Sequence, residues 1–229
     1  MSRKPTYSTD FEPDEAKIFA VREALISWYE ENARDLPWRR TRDPWRVLLS
    51  EVMLQQIQVK RAIPFYESFL ARFPTPRALA DAPLAEAIRV WGDLGRYKRV
   101  VNLHRTARIL VEEFSAEVPS NPGELVKLPG IGPYTAGAVA CFAFDKDTAF
   151  VDTNARRVLH RLFFGANVPE PFATERAPAP RGGASALRAG LEVGPVRNRV
   201  RSYSMHGSQA ALRVLPPERP LRREARDLG

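Results

Sequence analysis

From Asp14 to about Leu128, apolar residues recur at intervals of three and four, and proline or glycine interrupts the runs. That spacing lines one side of an α-helix, which turns every 3.6 residues, and does not line one face of a strand. Ile18, Val21, Leu25, Trp28 and Tyr29 make the first such face. Arg34 to Pro44 is a loop rich in Pro and Arg. Asp43-Pro44 then predicts a helix start, with Asp as N-cap and Pro in the first turn. Val47, Leu48, Glu51, Leu54 and Gln55 fall close to one face of that helix, and Pro64 is expected to end or kink it. Phe65 to Phe73, Leu79 to Trp91, Tyr97 to Phe114 and Pro122 to Leu128 read as further helices. No period-2 series precedes residue 150, so the chain reads as all-α, with residues 1–13 as a disordered leader.

Composition narrows the class. No apolar run approaches the 18 or so residues of a membrane helix, and the polar start Met1-Ser-Arg-Lys-Pro5 is no signal peptide. A single cysteine rules out an intrachain disulfide framework and any multi-cysteine metal site. A soluble protein of the cytoplasm is expected. The net charge of +8 favours an anionic partner, most simply nucleic acid. That charge is unevenly spread. Residues 1–170 hold 24 Lys+Arg against 22 Asp+Glu, a net of +2; residues 171–229 hold 11 against 5, a net of +6. The tail has no Lys, Trp or Ile, and residues 171–192 are rich in Ala, Pro, Gly and Arg. Poor order is expected beyond about residue 170.

Three places carry candidate chemistry. Leu128-Pro-Gly-Ile-Gly-Pro-Tyr-Thr-Ala136 separates two helical segments. Gly130 and Gly132 permit backbone angles that other residues avoid, so the turn can present N–H groups beside a helix N-terminus, as a DNA phosphate requires. A bare G-x-G is also an ordinary tight turn. Glu51, in Ser50-Glu-Val-Met-Leu-Gln-Gln56, reads either as a solvated helix Glu or as an acid. Its neighbours are apolar, and a carboxyl held among apolar groups tends to keep its proton. Asp152, in Val151-Asp-Thr-Asn154, reads as a helix N-cap, a role that does not exclude fixing a carboxylate at a site.

The full hairpin string resembles the helix-hairpin-helix of the endonuclease III superfamily of DNA glycosylases. Five further strings follow the order of its adenine DNA glycosylase branch: Leu36-Pro-Trp-Arg39, Ser50 to Gln56, Phe73-Pro-Thr-Pro76, Trp91 to Gly95, and Val151-Asp-Thr-Asn154 with Arg157-Val-Leu159. The resemblance covers roughly residues 15–165. It implies a two-lobed α-helical fold over residues 14–170. Residues 36–146 would form a six-helix lobe carrying the hairpin at 128–136, and 14–35 with 147–170 part of a second lobe. The implied activity is removal of adenine mispaired with guanine or 8-oxoguanine in double-stranded DNA, by a monomer associated with the nucleoid. The adenine must leave the stack to be reached. Glu51 would protonate it, and Asp152 would stabilise the oxocarbenium-like sugar electrostatically or covalently. Tyr134 and Asn154 would position groups at base and sugar. Gln55 and Gln56 would fill or probe the gap in the duplex, with Tyr97, Gly130 and Gly132 also on DNA.

Tyr134 stands where the bifunctional members carry a Schiff-base Lys, so base removal without efficient strand cleavage is expected. Arg96 stands where the adenine branch usually has the first of two Tyr. That departure keeps a thymine–guanine mismatch enzyme, or an endonuclease III-like one, as an alternative. A non-catalytic DNA-binding module using the hairpin alone is a third, against which the acid pair argues.

Most of this family binds a 4Fe-4S cluster through C-x6-C-x2-C-x5-C. This chain has only Cys141, which also reads as a small buried hydrophobe, so no cofactor or metal is supported here. Met205-His206 must be encoded ATG-CAY, and reading one base later gives TGC, a cysteine codon. Leu212-Arg213, Leu215-Pro216 and Leu221-Arg222 give cysteine in the same shifted frame if each leucine is CTG. The four positions have spacings of x6, x2 and x5. The expectation is a frameshift between about Phe172 and Val193, with 171–229 an out-of-frame tail replacing the cluster region. Weak or absent activity of this polypeptide follows.

Overall fold

Asp43 and Pro44 open the helix around which the rest is arranged. The Asp43 side chain accepts a hydrogen bond from the Arg46 amide at 2.9 Å, and Pro44 occupies the first turn, as their order predicts. The resulting helix α2 (Pro44–Leu54) is buried from Trp45 through Met53 except at Arg46. In a computed structural model of the chain, residues 15–146 are described, together with 148, 150, 154, 158, 161 and 162. The expected leader over 1–13, the tail over 171–229 and Asp152 lie outside the described residues.

Before α2 come α1 (Glu15–Asn32) and a 3-10 turn at Pro37–Arg39. After it come α3 (Val59–Arg72), α4 (Pro76–Ala80), α5 (Leu84–Trp91), a second 3-10 turn at Gly92–Leu94, α6 (Lys98–Glu113), α7 (Pro122–Leu125) and α8 (Pro133–Phe144). Among the described residues there is no strand. α2 packs on α8 most extensively, and also on α3 and α6; α6 lies against α4 and α5. Their shared core includes Trp38, Leu48, Met53, Phe69, Trp91, Leu103, Leu110 and Val139. Trp38 stands edge-on to Tyr66 and Phe69 edge-on to Trp91, an arrangement that favours the positive ring edge over the negative ring face. Burial pushes the Tyr66 hydroxyl up to about 12.

Two local readings change. α2 ends at Leu54, ten residues before Pro64, and Pro64 lies inside α3 instead of ending α2. The bond Pro64 cannot donate would have gone to the Lys60 carbonyl; both residues are exposed, so water can take its place. The single helix expected from Leu79 to Trp91 is broken at Asp81–Pro83, because proline has no amide to continue the ladder. On α1, Val21, Leu25, Trp28 and Tyr29 share a half-buried side, while Phe19 is 58% exposed. Cys141 is buried in α8, as a small hydrophobe would be.

Candidate nucleic-acid interface and acid site

Three turns converge at one edge of this core. The first is the hairpin between α7 and α8. Leu128 and Ile131 are buried and anchor it, and the Ile131 amide closes it on the Leu128 carbonyl at 3.1 Å. Gly130 adopts φ +79°, in the left-handed region that favours glycine, and a Cβ there would stand 2.9 Å from Asn102 Nδ2. Gly132 differs from the sequence expectation. Its φ of −88° with ψ 174° is extended backbone open to any residue. A Cβ at Gly132 would meet nothing within 4 Å, so its lack of a side chain leaves the backbone open on the outer side. Gly132 is also the N-cap of α8 and gives no side-chain cap, so the first amides of that helix keep their donors for an external acceptor.

The second turn is Leu54–Gln58, which links α2 to α3. Gln56 is exposed with φ +59°, a costly angle for a residue with a Cβ. Gln55 Nε2 donates toward the Gly130 carbonyl at 3.5 Å, joining this turn to the hairpin. Val52, Gln55, Arg99, Asn102, Leu103, Pro129 and Gly130 line one small recess between them. Thr106 Oγ donates to the Pro129 carbonyl at 3.1 Å and fixes the hairpin to α6.

The third turn is Gly92–Tyr97. Gly95 has φ +74° and Arg96 φ +51°; Arg96 is exposed and Tyr97 is 48% exposed. An exposed aromatic ring beside an exposed guanidinium suits stacking on bases. Arg61 Nη2 donates to the Asp93 carbonyl and ties this turn to α3.

Glu51 is 4% exposed, on the buried stretch of α2. Such burial sets aside the reading of Glu51 as a solvated helix Glu. Tyr134, half-buried in the first turn of α8, stands edge-on to Phe150 with ring centroids 5.6 Å apart. α2 and α8 pack together, so Glu51 and Tyr134 lie on partnered helices. Asn154 is half-buried and helical, and Asp152 lies outside the described residues. The turns therefore bring Gln55, Gln56, Tyr97 and Gly130 to one edge with Gly132 at the helix start.

Arg99, Asn102 and Thr106 belong to this edge and were not among the sequence candidates. The one signal was that Arg99 shares a helix face with Leu103 and Leu110, both buried. As for a 4Fe-4S group, it needs four thiolates, and the chain supplies one, inside α8. The residues present do not fit that cluster.

A family model described as HhH-GPD superfamily base excision DNA repair protein matches residues 49–178, more than half of the chain. The chain is 47% identical over 143 residues to an adenine DNA glycosylase of Mycolicibacterium smegmatis, covering 62% of this chain and 49% of the relative. It is 43% identical over 158 residues to the human adenine DNA glycosylase, covering 65% and 29%. The chain thus spans about half, or less, of the length of these curated relatives. Among solved structures, a thermostable thymine-DNA glycosylase superposes with a TM-score of 0.73 at 24% identity, covering 90% of each chain. An endonuclease III trapped covalently on DNA gives 0.64 at 21% identity, covering 85% of each. These two likenesses establish the shared helical fold.

Proposed function

Since the chain belongs to the HhH-GPD superfamily of base excision DNA repair proteins, we propose that it removes adenine mispaired with guanine or 8-oxoguanine from double-stranded DNA by hydrolysing the N-glycosidic bond. The observation that carries this is Glu51, a carboxyl 4% exposed on a helix packed against the helix that leaves the hairpin. Resemblance to adenine DNA glycosylases at 37–47% identity supports adenine as the base.

In this reading the hairpin amides and the start of α8 hold a phosphate, and the mispaired adenine leaves the stack. Glu51 gives its proton to the adenine ring, which departs as the neutral base when the bond to the sugar breaks. Asp152 offsets the positive charge that develops on the sugar, water adds to the sugar carbon and gives up a proton that restores the Glu51 acid, and an abasic site remains. Tyr134 and Asn154 position base and sugar. Gln55, Gln56 and Tyr97 occupy the opened duplex. A phenol at 134 forms no Schiff base, so the strand is left uncut. The chain acts as a monomer.

Glu51→Gln tests this. With a labelled A·8-oxoguanine duplex and alkaline cleavage after incubation, loss of the proton donor lowers base removal by about 10²-fold or more. Duplex binding stays near the parent value. Retained activity in Glu51→Gln refutes the acid role, and product from T·G but from neither A·G nor A·8-oxoguanine refutes adenine.

We further propose that activity of this polypeptide is impaired, because residues 171–229 are an out-of-frame reading that has replaced a cluster-binding segment. Without that segment the second lobe lacks a metal staple and part of its DNA-facing surface.

A further inference from the structure

Arg99 is 8% exposed, yet none of its described contacts is a carboxylate. Its guanidinium is held by backbone carbonyls from the end of α2 and from two of the three turns. Nη1 donates to Met53 at 2.7 Å, Gln55 at 3.1 Å and Val52 at 3.3 Å. Nη2 donates to Gly95 at 3.1 Å and Leu94 at 3.5 Å. The plane sits 5.3 Å from the centre of the Trp91 ring, and among the described residues Nε is buried without a hydrogen-bond partner. A buried cation needs compensation. Here it comes from the negative C-terminal end of α2, whose last carbonyls have no partner within the helix, and from the face of Trp91.

The placement is specific. In the Leu54–Gln58 turn Arg99 holds the carbonyl of Gln55, the residue before Gln56 at φ +59°. In the Gly92–Tyr97 turn it holds the carbonyl of Gly95, the residue before Arg96 at φ +51°. Both left-handed residues are exposed; the proposed function puts Gln56 against DNA, and with it Tyr97, the residue after Arg96. A non-glycine residue stays in that region only when its surroundings hold it there. One planar fork therefore fixes two strained turns relative to one another.

We infer that Arg99 is a positioning residue that locks the Leu54–Gln58 and Gly92–Tyr97 turns into a single duplex-binding edge. This rests on the reading that these turns meet DNA, but not on base removal. In the full chain, Arg99→Met frees both turns at once. Arg99→Lys keeps the charge, but a single ammonium cannot span both carbonyl sets, so it restores at most one.

Hydrogen exchange on parent, Arg99→Met and Arg99→Lys reads the lock directly. The amides of 54–58 and 92–97 exchange about 10-fold faster in Arg99→Met, while the core of α6 and α8 is unchanged. Fluorescence anisotropy with an A·8-oxoguanine duplex shows affinity falling about 10-fold in the same variant, with Arg99→Lys between it and the parent. Should Arg99→Met not fold, Arg99→Lys carries both measurements. Unchanged turns overturn the inference. So does acceleration spread evenly through the core, loosened turns with undiminished affinity, or a parent that binds no duplex. A parent that binds and responds as expected but releases no adenine, even with the reading frame restored, sinks the proposed activity and leaves this inference standing.

Discussion

An added methyl group at Gly137 would stand 2.6 Å from Phe150 Cβ, closer than real Cβ atoms approach. Gly137 lies inside α8, where alanine normally stabilises a helix by about 1 kcal/mol over glycine. Overpacking of a filled site costs about 1–3 kcal/mol, so the clash should win. Phe150 is held there by edge-on contacts to Tyr134 and Phe142, with centroids 5.6 and 5.3 Å away. The notch in α8 thus seats the residue two places before Asp152. With the helix gain set against the clash, Gly137→Ala is expected to lower the thermal midpoint by a net amount equivalent to up to about 2 kcal/mol. In a Phe150→Ala background the same change should be neutral or stabilising. Melts of the four proteins measure the coupling, and an equal cost in both backgrounds would contradict the notch. At the residue scale sequence reading was uneven. Gly130 was legible because its turn needs a positive φ. The same expectation fails at Gly132, whose φ is negative; what matters there is open space on its outer side.

Local chemistry sets where several helices begin. Asp43 caps α2, Thr75 caps α4 by accepting from the Ala78 amide at 3.1 Å, and Asn121 caps α7 by accepting from the Gly123 amide at 2.8 Å. Each is followed by proline in the first turn, whose absent amide costs nothing there. Asp43→Ala should destabilise the protein by about 1 kcal/mol, since α2 is the central helix and its first amides would lose an acceptor. The urea midpoint should fall without a change in slope, and Asp43→Asn should recover most of the loss. A wild-type midpoint in Asp43→Ala would show that the cap does not limit stability. Helix ends were harder to foresee. α2 stops at Leu54 with no glycine or proline to mark it, because its last carbonyls turn to Arg99, whose side chain arrives from 44 residues further on. Pro64, the visible punctuation, is absorbed inside α3 on the exposed side.

At the scale of the molecule, charge is the weaker argument and shape the stronger. Of the net +8, residues 1–170 carry only +2. A duplex would then be held mainly by hairpin amides, helix starts and exposed side chains on three braced turns, and less by a diffuse positive field. The tail's charge bears on the proposed frameshift. Sequencing the gene across codons 165–195 should show a one-base shift between the codons for Phe172 and Val193. An intact frame, together with a tail peptide found by mass spectrometry, would reject that origin. A frame-restored protein should regain four cysteines and, with them, a stronger glycosylase signal on the A·8-oxoguanine duplex.

The sequence by itself determined that the described chain is helical, where several helices start, which string makes the hairpin, and which carboxyl on α2 is a candidate acid. These follow from rules acting within a few residues: periodicity, capping, proline's missing amide, glycine's missing Cβ. The tertiary structure alone decided that Glu51 is buried, that α2 ends at Leu54, and that Arg99 joins two exposed turns across the core. Burial and carbonyl solvation depend on groups brought together from distant parts of the chain. Local pattern gives no information on which distant carbonyl a given guanidinium will meet.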